Sequence, residues 1–258
     1  MFRRRVEGVL AGMAGLLCCS VSLGQANAPA APPAEVDFAR LGLTSGEIVR
    51  LQVDRTIGRE LEVVVPIGGD HHRIKLVPHS VRAPEFRLYE SREGGVLVEV
   101  DPGPVNTLRG ALTKSPGSIV AGGMMPDGLW AMIQMGDGQQ YWLEPLGARV
   151  PGAGDDQYVL YRSSDVRQDG FQCDVDEARH RIGERHAGGY EPRGVNRFTA
   201  QVAVECDFEY FNLYGSSSLV SSRIALVYNV LNVQYEREVE IIHTISSTIV
   251  NTVEPDPY

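Results

Sequence analysis

Across its 258 residues this chain is poor in cysteine, in excess positive charge and in long apolar runs, and each shortage removes a class of protein. Lys and Arg number 24 against 33 Asp and Glu, a formal charge of -9, so the chain repels nucleic acid and anionic membranes rather than binding them. Its longest apolar stretch, residues 9–23, is too short and too rich in glycine to span a bilayer. Two of the four cysteines, Cys18 and Cys19, fall inside that stretch, and Leu17 stands where a lipid-attachment site requires a small residue. No internal repeat of fixed period occurs.

The N-terminus has the layout of a secretory signal. Arg3, Arg4 and Arg5 precede the apolar stretch, and Ala26-Asn27-Ala28 forms a small-x-small cleavage site, so residues 1–28 are expected to be removed after Ala28. Cleavage takes away three Arg and Glu7, moving the formal charge from -9 to -11. The mature chain is then placed outside the cytoplasm, secreted or periplasmic, with no stable membrane anchor. Residues 29–35, rich in Pro and Ala, form a short extended linker.

Residues 36–162 carry short strand signals divided by turns. Apolar runs at 61–65, 73–77, 96–100, 118–121, 129–135 and 140–143 are punctuated by Gly68-Gly69-Asp70, Pro126-Asp127-Gly128 and Gly136-Asp137-Gly138. Asp-Gly pairs favour tight hairpins because glycine tolerates positive φ, so an antiparallel β-sandwich or partial barrel is expected. Asp70, His71 and His72 do not make a metal site, since neighbours on a strand point to opposite faces. Trp130, Tyr141 and Trp142 read as strand packing rather than a ligand platform. Residues 163–197 lose apolar periodicity and fill with charge and glycine, as an exposed linker open to proteolytic processing does.

From Phe198 the apolar residues fall on every second position through Ala200, Val202, Val204, Cys206 and Phe208, which predicts a strand with one buried face. A turn-like segment at 212–218 leads to a helix, in which Val220, Ile224, Val227, Leu231 and Tyr235 form one apolar stripe. Val239, Ile241, Ile245, Ile249 and Val253 then share a face of a second strand, long enough for a crossover to a parallel pair. Two strands and one helix do not cover their own sheet, so residues 198–258 read as the truncated beginning of a domain.

The wording of several segments resembles the bacterial reprolysin-like (adamalysin-type) zinc metallopeptidases, members of the metzincins. The run from Ala203-Val204-Glu205-Cys206-Asp207-Phe208 through Glu209-Tyr210-Phe211-Asn212-Leu213-Tyr214-Gly215, followed by Val233-Gln234-Tyr235-Glu236-Arg237-Glu238-Val239, is similar to the opening of the family's catalytic part. Upstream, His79-Ser80-Val81-Arg82-Ala83-Pro84-Glu85-Phe86-Arg87, Thr107-Leu108-Arg109-Gly110 and Gln140-Tyr141-Trp142-Leu143-Glu144-Pro145-Leu146 resemble its propeptide.

The resemblance implies an α+β protein: a β-rich propeptide sandwich or partial barrel followed by an incomplete strand-helix-strand α/β metzincin catalytic domain. It implies a secreted zinc endopeptidase precursor acting on protein or peptide substrates, with contact between propeptide and catalytic part. Zinc is expected for the complete enzyme and none is expected on this chain. Metzincins hold zinc with His-Glu-x-x-His-x-x-Gly-x-x-His, in which Glu is the general base, and none of the six histidines here has that setting. His180, Glu184 and His186 lack the spacing, and His243 has no following Glu.

Cys173 is open to three readings. In the family a propeptide cysteine near this point occupies the zinc's free position as a switch, although Asp174 stands here where that pattern has Gly. With the signal removed, Cys173 and Cys206 are the two cysteines left, and in an oxidising compartment a disulfide between them would stabilise the fold by roughly 3 to 4 kcal/mol on the chain-entropy model. Alternatively both are inert thiols, with Cys206 a small buried hydrophobe. A different class of protein also fits the sequence, a secreted non-catalytic propeptide-like protein that binds a partner, a protease that it inhibits being one such partner.

Overall fold

Alternating apolar side chains and paired glycines turn the first half of the chain into strands that fold back on themselves. The computed structural model describes residues 36–147, 149–167 and 197–255. Ala28, the 29–35 linker, Cys173, His180, Glu184 and His186 therefore lie outside the described residues. Ten strands precede residue 167: β1 (Glu47–Arg50), β2 (Leu61–Ile67), β3 (Asp70–Pro78), β4 (Arg82–Arg92), β5 (Val96–Val100), β6 (Thr107–Leu112), β7 (Ile119–Met125), β8 (Gly128–Gln134), β9 (Gln140–Pro145) and β10 (Gln157–Arg162). Strand β11 (Phe198–Cys206), helices α1 (Phe208–Tyr214) and α2 (Ser217–Glu238), and strand β12 (Ile241–Asn251) follow.

Eight strands form one antiparallel sheet in the order β1-β10-β9-β8-β7-β6-β3-β2, curled into a nearly closed barrel. All eight contribute to a single inner core, which includes Val49, Val63, Ile74, Leu108, Val120, Ile133, Leu143 and Tyr158. Strand β2 shows the pattern plainly, with Leu61, Val63, Val65 and Ile67 inside and Glu62 outside. The β2-β3 hairpin closes on Gly68 and Gly69, at φ 63° and 89°, where side chains other than glycine are strained.

Strands β7 and β8 do not alternate; they are buried on both faces. Their inner side chains fill the barrel, while Ala121 and Met132 meet Val233 of α2 on the outside. Runs without alternation are what two-sided burial demands.

The second sheet has four strands in the order β11-β12-β4-β5, with β12 parallel to both β11 and β4. Its core joins Leu88 and Val250 of the sheet to Val220 and Ile224 of α2. The helix thus lies between the two sheets. At Ser246 the register between β11 and β12 slips by one residue, so Val202 faces Ile245 but Ala203 faces Ser247. This bulge flips the phase: Ile245, Thr248 and Val250 are buried, so Ile245 and Ile249 do not share the buried face that strict alternation predicts.

The expected fold class needs correction. The protein is dominated by strands built around the barrel and does not have the α+β layout of a metzincin. The strand-helix-strand unit is not an uncovered two-stranded fragment, because β4 and β5, from the first half of the chain, extend its sheet along the free edge of β12. The physical reason is that edge backbone groups seek partners, and β4 supplies them once the chain leaves the barrel at His79 and before it returns at Thr107.

Candidate functional site: the junction of barrel and helix

Residues of the quoted motifs converge where α2 crosses the outside of the barrel. Alternation along β6 turns Leu108 into the barrel core and leaves Arg109 for the outer side, toward α2. There the Arg109 guanidinium donates from Nε to Asn229 Oδ1 at 3.0 Å and from Nη2 to the Asn229 carbonyl at 2.8 Å. Its Nη1 lies 3.5 Å from Glu236 Oε1, with both side chains largely buried. Asn229, fully buried, donates in turn to the carbonyls of Leu108 at 2.8 Å and Gly122 at 2.9 Å. One helix side chain therefore ties together two neighbouring barrel strands.

Burial presses the Arg109 guanidinium below its ordinary value, and Glu236 opposes that. A guanidinium starts so far above neutrality that it stays charged. Burial, together with the Arg109 charge, also holds His79 below its usual range, again opposed by Glu236. The His79 backbone is anchored by exchange with Thr107, donating its N–H to the Thr107 carbonyl and accepting from the Thr107 hydroxyl.

Two further side chains complete the clamp. Arg82 reaches the carbonyls of Gly103 at 2.9 Å and Pro102 at 3.1 Å, and Ser221 of α2 at 3.3 Å, over the Phe86 ring. Asn232, also fully buried, pairs with both backbone groups of His243, accepting from N–H at 2.8 Å and donating to C=O at 2.9 Å. Because β4 begins its pairing with β12 only at Ile245, the Asn232 amide stands in for the missing strand at His243.

This junction is an adhesive arrangement. Its donors and acceptors are matched to one another, which suits holding two bodies together.

Cys206 ends β11 with 8% exposure, and burial, reinforced by Asp207 and Glu205, pushes its thiol up to about 11. Its candidate partner Cys173 lies outside the described residues. His71 and His72 are consecutive on β3, opposite Pro66 and Val65 of β2. Tyr141 belongs to the barrel core, whereas Trp130 and Trp142 sit on the side facing α2. Among the described residues no three His, Cys, Asp or Glu side chains gather to hold a metal ion.

Sequence reasoning missed Asn229, Asn232 and Glu236. A signal was present: asparagine is a poor helix former, and two of them three apart amid Val and Leu point to tertiary partners rather than to the helix itself. No protein-family model matches the chain, and no curated protein shows significant similarity to it.

Proposed function

We propose that this chain belongs to the precursor of a secreted zinc endopeptidase, in which the barrel acts as the propeptide and holds the segment from β11 to β12. The observation that carries the reading is where the resembling motifs meet. Arg82 and Arg109, from two propeptide-like motifs, grip Ser221, Asn229 and Glu236 of α2, the last in a peptidase-like motif. In this reading β4 and β5 shield the edge of β12 until processing in the 163–197 region separates the parts. Zinc and the protein or peptide substrate belong to the complete enzyme, and no catalytic step is assigned to the residues here.

A second reading, a secreted non-catalytic protein that binds a partner, is favoured by the same sheet. With β4 and β5 in place, the segment finds its covering within this chain. The coding frame past codon 258 at the native locus separates the two. A His-Glu-x-x-His-x-x-Gly-x-x-His within about a hundred codons supports the precursor. A stop codon directly after Tyr258 overturns it in favour of the binding protein.

A further inference from the structure

Helix α2 and strands β8 and β9 enclose a groove of about 260 Å³ on the flank of the junction. Trp130, Met132 and Trp142 line it from the sheet, and Leu226, Val230 and Leu231 from the helix. Both indole N–H groups are committed elsewhere, Trp130 to Asp127 at 3.0 Å and Trp142 to Ser163 at 2.8 Å. Neither ring therefore requires a polar partner from an occupant. Glu144, at the rim, is already matched by Arg149 and by the Tyr161 hydroxyl at 2.7 Å.

Arg223 is different. Its guanidinium carbon lies 4.3 Å from the centre of the Trp130 ring, and its charge is felt by the Tyr161 and Tyr210 hydroxyls, but it makes no hydrogen bond or ion pair with any described residue. Stacked on the indole, the planar fork is held in place with its donors uncommitted, and such a fork matches a carboxylate with two parallel hydrogen bonds. Apolar walls, a cation whose fork makes no hydrogen bond beside a Glu144 already held by Arg149 and Tyr161, and a volume below the roughly 300–1,000 Å³ of drug-sized pockets together specify a slim ligand.

We propose that this groove binds a small amphipathic carboxylate, an acyl or aryl acid whose apolar body lies between α2 and β8-β9 and whose headgroup pairs with Arg223. The proposal stands independently of the peptidase reading.

The chain contains two tryptophans and both line the groove, so intrinsic fluorescence reads the site without a label. Decanoate, decanol and decyltrimethylammonium, each below its micellar concentration, are titrated into the full chain and into Arg223→Gln. Decanoate is expected to give a saturable change that weakens about tenfold in Arg223→Gln, the worth of one charged bidentate pair. Decanol should bind both forms alike and no better than decanoate binds the variant, and the cation should not bind. No saturable change, equal decanoate affinity in both forms, or equal binding of the cation overturns the proposal. If Arg223→Gln fails to fold, the comparison of decanoate with decanol and with the cation on the unaltered chain decides it alone. A dimer that decanoate does not dissociate assigns the groove to a second copy and also overturns it.

Discussion

Asn229 shows how much one side chain contributes to this protein. Replacing it with Ala removes both donors to the Leu108 and Gly122 carbonyls and the acceptor for Arg109, leaving buried groups unpaired. A loss of about 2–4 kcal/mol is expected, seen as a lower urea midpoint with unchanged slope. A loss under about 0.5 kcal/mol would remove Asn229 from the centre of the clamp. Cys206 supplies a pH-dependent test in chains carrying Cys173→Ser. A thiol near pKa 11 is almost wholly protonated at pH 8, so native Cys206 should react slowly with a disulfide reagent and readily once unfolded. Between the ordinary thiol value and about 11, the unfolded chain gives up this proton while the folded one keeps it. Stability should therefore fall as pH rises through that window, and more steeply than in the same chain with Cys206→Ala.

Among the elements, α2 is the one whose two sides answer to different sheets. It approaches β7 closely because Gly123 lies beneath it; a Cβ there would come within 3.2 Å of the Leu226 side chain. Gly110, in the quoted β6 motif, is more demanding, since a Cβ there would sit 1.8 Å from the Lys75 carbonyl oxygen on β3. Gly110→Ala must push β3 and β6 apart and is expected to destabilise by more than about 3 kcal/mol, lowering expression and the thermal midpoint together. A thermal midpoint within a degree or two of the parent would show that the strands can shift without cost. Helix α1 was legible and overlooked. Asp207 accepts from the Tyr210 N–H as N-cap, and Gly215 closes the helix at φ 68°, a start and stop that the strand pattern through Phe208 obscured.

Barrel and second sheet share α2, and the chain passes between them three times, at His79, at Thr107 and between β10 and β11. The described residues should therefore unfold in one calorimetric transition, and ending the chain at residue 167 should leave the β4-β5 hairpin without its neighbour and the outer face of β7-β8 bare. Two separate transitions in the longer chain would refute this coupling. The local elements were written in the sequence: the alternation of β2 and β11, the glycine turn after Ile67 and the helix carrying Val220 and Ile224 each arise from neighbours in the chain. Val227 and Tyr235 of the expected stripe, by contrast, are exposed, and the buried face runs through Asn229, Asn232 and Val233 instead. The neighbour of β12 was not written there. Strand β4 reads Arg-Ala-Pro-Glu-Phe-Arg across its first six residues, too polar to announce a strand in the interior of a sheet. Its pairing rests on backbone hydrogen bonds, which carry no side-chain signature. The meeting of Arg109 with Asn229, 120 positions apart, was equally hidden. Periodicity makes an element because its cause is local, whereas edge pairing and buried polar contacts depend on which distant surfaces the folded chain brings together.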